Sequence, residues 1–388
     1  MPGNMLIVQG GGPTAVFNAS LASAIRERAK QAPGGRIYGA RFGMQGLSRA
    51  DLIDLSSLSS DALLQVRNSP GAALGSSRFA PSEADLDASL RHLSSRGVDQ
   101  IVFLGGNGTM SGAKKFAEFC ESRSFSVQVM GSPKTIDNDI AATDRCPGFG
   151  SAARFIAQST LDLAADLRSL HQPVSIFETL GRDVGWLSAA AALAKENEDD
   201  PPHVVCVPEV PFELDRFLDA ISNTVAKIGW ALAVVSEGIS YANGKPVFQQ
   251  VLPSGGKTAM RPLIGGVAQH LSGLVAEHLG LRCRSEKPGL IGRSAAAYVS
   301  SQDLADAELT AQECVRALAR GETGKMASLL PLGTGASPSC ELIPLAAAAG
   351  PRRALPQEWL GTGAIASNEK FRGYAAPLVG QLRRPRYL

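Results

Sequence analysis

Short apolar runs, each closed by glycine or a polar turn, recur along this chain and alternate with stretches of helical period. That rhythm predicts an α/β protein with parallel strands. Residues 5–8 form the first run and lead into Gly10, Gly11 and Gly12 ahead of a helix at about 18–30. A strand is expected over 35–42, followed by Gly43, Gly46 and the small-residue segment SPGAALGSSR at 69–78. Leu86, Leu90 and Leu93 share one face of a helix over 84–96. The stretch 100–104, apolar from Ile101 on, reads as a parallel strand buried on both faces and ends in GGNGTM at 105–110 before another helix. A third strand is expected over 126–130, running into PKTIDND at 133–139.

Beyond Phe149 the spacing lengthens. An alanine- and leucine-rich helix is expected at about 151–169, a strand over 174–178 closing on LGRDVGW (180–186), and then an alanine-rich helix. Strands over 204–207 and 232–235, a helix from about 260, a basic loop over 282–294 and a helix over 305–319 complete the pattern. The turn at 321–324 and the Pro- and Arg-dotted segment from Gly350 promise no chemistry.

The length, 388 residues, exceeds the usual size of one core and predicts two lobes. Hydrophobic residues at 44% and charged residues at 19% describe a globular chain, and a net charge of +2 is too small to imply a nucleic-acid or membrane partner. The six cysteines form no CxxC pair, which argues against a zinc site or a disulfide framework. With no apolar run long enough to span a bilayer and no leader pattern, a cytoplasmic location is expected.

Strand, glycines, helix is the order that brings backbone N–H groups against phosphate, and it occurs twice, at Gly10 and at Gly105. The GxGxxG spacing is absent, and SGGKT at 254–258 lacks the leading glycine and strand of a phosphate loop, Val251 standing where that glycine should be. Ligands of an open parallel sheet collect beyond the carboxyl ends of its strands, so the loops after 8, 104 and 130 should meet at one edge. There PKTIDND supplies two carboxylates, Asp137 and Asp139, which face one site if the backbone is extended. One could take a proton from a hydroxyl while the other helps hold a divalent cation. Lys134 adds charge for phosphate oxygens, and Thr135 and Asn138 add hydrogen-bonding groups. Pro, Asp and Asn also make ordinary solvated turns. Arg78 suits a polyanion or an exposed surface loop. Arg182 offers a planar fork for phosphate or a partner for Asp183 or Asp162. Arg284, Lys287 and Arg293 form a basic cluster without aromatics, enough for a phosphorylated small molecule or merely a solvated loop.

Together, GGGPTAVFNASL from Gly10, LGSSR ending at Arg78, GGNGTM, PKTIDND, ETLGRDVGW from Glu178, Pro208–Glu209 and KPGLIGR from Lys287 resemble the phosphofructokinase A family in order and spacing. The resemblance runs from residue 5 to about 380. It implies an α/β fold of two Rossmann-like, three-layer lobes with mostly parallel sheets and a cleft between them. The phosphoryl-donor lobe would comprise 1–149 plus about 294–345, and the sugar-phosphate lobe 150–293 plus about 346–388. By position Asp137 resembles the family's catalytic base, with Asp139, Lys134 and Arg182 as further catalytic groups. Gly11, Gly12, Arg78, Gly106, Asn107, Gly108 and Thr109 match donor-binding positions. Thr135, Leu180, Gly181, Arg182, Glu209, Arg284 and Arg293 match sugar-phosphate positions, and Asn107 with Asp137 would hold Mg2+. The resemblance further implies a homodimer or tetramer, with Arg284 reaching in from a neighbouring subunit.

Departures from the family pattern bear on both substrates. Lysine at 134 is the mark of members that use pyrophosphate, whereas Gly108 replaces the aspartate those members usually carry and leaves room for ATP. Asn107 stands where ATP-using members carry an aspartate, and Leu180 replaces a methionine. Pro173 and Leu290 occupy positions where ATP-using members place an arginine and a histidine on the sugar's 6-phosphate. The expected activity is transfer from pyrophosphate to the 1-hydroxyl of fructose 6-phosphate. An ATP-dependent or polyol-directed kinase, or a catalytically silent sugar-phosphate or nucleotide binder, are the alternatives; the presence of both Asp137 and Asp139 argues against the last.

Overall fold

The computed structural model describes residues 3–170, 173–249, 265–333, 337–361 and 368–386. The SGGKT segment and the start of the helix expected from about 260 lie outside the described residues. Described strands are β1 (Asn4–Gln9), β2 (Ile37–Ala40), β3 (Leu52–Asp54), β4 (Val98–Gly105), β5 (Gln128–Pro133), β6 (Val174–Thr179), β7 (Val204–Cys206), β8 (Ala231–Ser236), β9 (Cys283–Glu286), β10 (Lys325–Leu329) and β11 (Cys340–Pro344). They build two sheets in two compact units. Met1–Ser151 with Arg293–Arg353 is the first unit, and Ala152–Gly292 with Ala354–Leu388 the second.

The first sheet has the order β11-β10-β5-β4-β1-β2-β3. Its interior strands are parallel, and the edge strands β3 and β11 are antiparallel. The continuous apolar runs are explained by burial on both faces. Met5, Ile7, Val102 and Leu104 point to one side, with helices Phe17–Gln31 and Ser301–Ala319. Leu6, Val8, Ile101 and Phe103 point to the other, with helices Glu83–Ser95 and Asn107–Ser122. Leu90 and Leu93 are buried there, as their spacing predicts. Ser82 and Asp85 close a capping box at the start of Glu83–Ser95.

The second sheet, β7-β8-β6-β9, is entirely parallel. Val174, Ile176, Ala231, Ala233 and Val235 pack there with Phe217, Leu218, Ile221, Leu271 and Val275 of helices Leu214–Ile228 and Val267–Leu279.

Three elements depart from the sequence reading. The segment 283–286, expected as part of a basic loop, is the edge strand β9; its sequence CRSE lacks an apolar run because only one side of it pairs. β10 and β11 follow the glycine turn at 321–324, where only a turn is expected. The chain returns to the second unit at 353/354 rather than at about 345. Leu345 is buried in the first core, and the Arg353 amide donates to the Asp139 carbonyl at 2.9 Å, which keeps the intervening residues with the first unit.

Candidate active site

Because β5, β4 and β1 are adjacent and parallel, their carboxyl ends deliver three loops side by side. The ladder continues into the loops: Gly10 N donates to Leu104 O and Lys134 N to Gly105 O, both at 2.9 Å. The segment ending at Arg78 joins them through a Gly10–Ser77 bridge and through Ser76 Oγ, which donates to Gly11 O at 2.6 Å. Arg78 itself is exposed. Gly11 sits at φ +80°, where a side chain would be strained. Thr109 fills the space over Gly10 and Gly105; a Cβ on either glycine would lie 2.5 or 2.2 Å from Thr109 Oγ1. Its role here is to brace the two glycine loops. Gly106 caps Asn107–Ser122, whose amino terminus presents backbone N–H groups and the positive end of the helix dipole.

Lys134 is 2% exposed. Nζ donates to Gly10 O at 3.1 Å and to Gly12 O, and it stands 4.3 Å from the Phe17 ring centroid. Two of its three donors are therefore held by the first glycine loop, leaving one for a ligand. Burial, with the Arg293 and Arg78 guanidinium charges, brings its pKa down to about 7.

The PKTIDND segment is not extended. Asn138 adopts φ +54°, and its fully buried Oδ1 accepts from Cys146 N at 2.9 Å. It is a turn former and not a ligand. The turn still brings both carboxylates together. Asp137 N donates to Thr135 Oγ1 at 3.1 Å, and Thr135 Oγ1 lies 3.4 Å from Asp139 Oδ1. Burial, and then the Asp139 charge, push the Asp137 carboxyl up to about 6. Burial also raises Asp139, against which Arg352 acts from 3.6 Å. A carboxyl raised to about 6 is able to accept a proton near neutral pH.

Asn107 Nδ2 donates to the Asp139 carbonyl at 3.2 Å, while its buried Oδ1 has no hydrogen-bond partner. Among the described residues no three His, Cys, Asp or Glu side chains cluster as a metal site. One carboxylate and one unpartnered amide oxygen suit magnesium, which takes oxygen ligands and keeps waters and substrate phosphates around it.

Arg293, expected among the sugar-phosphate groups, belongs to the first unit. Its guanidinium lies 3.6 Å from where a Gly12 Cβ would stand, held there by the turn Gly289–Arg293. In the second unit, Gly181 adopts φ +128° and its carbonyl accepts from Ser236 Oγ at 2.5 Å, which fixes the backbone between Leu180 and Arg182. Glu209 Oε1 accepts from Gly185 N at 2.9 Å and Leu355 N at 3.0 Å; its Oε2 is buried without a partner. Arg284 is exposed on β9. Lys287 leaves the basic cluster, because its ammonium lies 3.2 Å from the buried carboxylate of Glu178. Glu178 in turn accepts from Gly266 N and Ala268 N at 3.0 Å.

Two groups of residues escape the sequence reading. Arg352 and Arg353 come from a segment read as inert yet hold Asp139. Arg145 and Asp303 anchor the residues that follow it. Arg145 pairs with Asp306, and Asp303, in the first turn of the same helix, accepts from Gly148 N and Ser151 N; contacts between segments so far apart in sequence are not legible from it.

Two glycine loops, one of them at a helix start, a buried lysine and a carboxylate pair at the carboxyl ends of parallel strands are parts that suit phosphoryl transfer. The Phosphofructokinase family model matches residues 4–318, and the chain belongs to that family. It is 34% identical to the pyrophosphate–fructose 6-phosphate 1-phosphotransferase of Xanthomonas campestris pv. campestris, over 97% of this chain and 91% of that one. It is equally 34% identical to a sulfofructose kinase of Alkalicoccus urumqiensis, over 82% and 81%. The crystal structure of a pyrophosphate-dependent phosphofructokinase from Nitrosospira multiformis superposes with a TM-score of 0.89 at 29% identity, covering 99% of this chain and 94% of that one.

Proposed function

We propose that the protein transfers a phosphoryl group from pyrophosphate to the 1-hydroxyl of fructose 6-phosphate, giving fructose 1,6-bisphosphate and phosphate. The observation that carries this reading is Lys134, a buried cation at the junction of both glycine loops. It can stabilise a small polyanion without any nucleotide contact. The 1-hydroxyl attacks phosphorus in line, its proton passes to Asp137, and the bridging P–O bond breaks to release phosphate. Gly11, Gly12 and Gly106 to Thr109 hold the donor, Lys134 and Arg182 balance charge on the transferring group, and Arg78 and Arg293 add positive potential. Asn107 and Asp137 would hold magnesium, which neutralises donor charge when bound. Thr135, Leu180, Gly181, Glu209 and Arg284 serve the sugar phosphate. The same reading carries reversibility, a cytoplasmic location and a homo-oligomer.

A coupled assay with fructose 6-phosphate and magnesium, run with pyrophosphate and with ATP, tests the donor. Turnover with pyrophosphate is expected; turnover with ATP alone would overturn the reading. Gly108→Asp sharpens the test. A Cβ at Gly108 meets nothing within 4 Å, and a carboxylate in the first helical turn suits the dipole. The variant should fold normally and retain measurable pyrophosphate turnover. Any ATP turnover should vanish.

A second acceptor is favoured by the sulfofructose kinase relative together with the capture of Lys287 by Glu178. A sulfonate carries one charge where a phosphate carries up to about two, so it needs fewer cations. Sulfofructose belongs in the same assay, and a higher kcat/KM for it would transfer the proposal to that acceptor.

A further inference from the structure

The residues after Asp139 run through 140–148 without helix or strand, yet they are tied down at every few positions. Leu329 N donates to Thr143 Oγ1, and Asp144 N to Leu329 O, both at 3.0 Å, which docks the segment on the end of β10. Gly148 N and Ser151 N donate to the buried carboxylate of Asp303 at 2.7 and 3.0 Å. Between these anchors Arg145, 1% exposed, engages both oxygens of Asp306, 2% exposed, at 2.7 and 2.8 Å. Arg145 Nη1 also donates to Leu330 O at 2.6 Å, and Gln302 donates to Asp306 at 2.9 Å.

An apolar pair of similar volume would fill this place without desolvating two charges, and buried ion pairs replaced in that way often leave stability unchanged or improved. What a bidentate pair adds is geometry: a planar fork fits a carboxylate in one orientation only. An apolar contact tolerates sliding. We propose that the Arg145–Asp306 pair is a positioning device that fixes the register of the Asp137–Asp139 turn against the helix Ser301–Ala319, and that it serves turnover more than stability. The proposal rests on the reading of Asp137 as the base. Register passes to the carboxylates through Asn138, whose side chain is clamped to Cys146, the neighbour of Arg145.

The test compares wild type, Asp306→Leu, the combined Arg145→Met and Asp306→Leu variant, and Arg145→Lys. Asp306→Leu alone removes the bidentate partner of Arg145, leaving the buried guanidinium, among the described residues, only Asp144 at 3.4 Å and the Leu330 carbonyl, and should lower both the thermal midpoint and kcat. The combined variant should recover the midpoint while kcat stays down by about tenfold, with KM for pyrophosphate within about threefold, the signature of lost transition-state alignment and not of lost binding. Amide hydrogen exchange over 136–146 should quicken in the combined variant, a readout that needs no substrate. Arg145→Lys keeps the charge but not the fork, and should lower kcat by about threefold or more at an unchanged midpoint. Wild-type kcat and wild-type exchange in the combined variant would overturn the proposal. If that variant does not fold, the same result in Arg145→Lys overturns it. A wild-type protein inactive with fructose 6-phosphate sinks the functional reading, and the exchange comparison still decides this one.

Discussion

Asp137→Asn is expected to lower kcat by about 10²–10⁴-fold, the range for removing a positioned general base, with KM for fructose 6-phosphate little changed. Asparagine fills the same volume, and Asp137 makes its described hydrogen bond through its backbone amide, so the fold should not register the change. The pH profile separates this from a loss of alignment. A base lifted to about 6 must be deprotonated to act, so kcat/KM should rise as pH climbs through about 6. That acid limb should disappear in Asp137→Asn. An acid limb that survives unchanged would assign the titration, and the base, to another group.

Lys134→Met should remove pyrophosphate turnover by about 10²-fold or more, the scale seen when a preorganised donor to a developing negative charge is deleted. Methionine matches the stem in length but leaves the Gly10 and Gly12 carbonyls without their donor, so some loosening of the glycine loop accompanies the loss of charge. The charged form of a lysine near 7 predominates below that pH. The wild-type profile should therefore fall on its alkaline side through about 7, leaving an optimum between about 6 and 7, and Lys134→Met should lose the alkaline limb. Calorimetric titration with pyrophosphate checks the same point without turnover: binding should take up protons above pH 7, because the anion favours the ammonium.

The parts of the site that depend on local pattern are legible in the order of residues alone. Residues 5–8 and 101–104 are short apolar runs bounded by glycines, the pattern of doubly buried parallel strands, and those glycines place the loops. Lys134 and Asp137 follow from their position after β5. Whether 133–139 is extended is left open by the order of residues; the buried Asn138 amide settles it as a left-handed turn. The partners of Asp139 and Arg145 are tertiary: Arg352 and Asp306 are brought in by β10, β11 and the helix Ser301–Ala319, far along the chain. β9 is hidden because an edge strand has no need of an apolar run. Arg293 stands at the crossing itself, the first residue after Gly292 of the second unit, and motif order does not fix such a crossing to the residue.

The chain has three tryptophans, Trp186, Trp230 and Trp359, and all of them lie in the second unit. Trp186 is fully buried, with the rings of Tyr374 and Trp359 at 5.5 and 5.8 Å. Indole emission is therefore a spectroscopic label for one unit that nature has already attached. Unfolding followed at the tryptophan band reports the core around β6 and β8, while the unit that holds Lys134, Asp137 and Arg145 carries no indole. A variant in that unit can melt early while the fluorescence trace stays flat, and circular dichroism at the same temperatures would reveal two transitions where the fluorimeter records one.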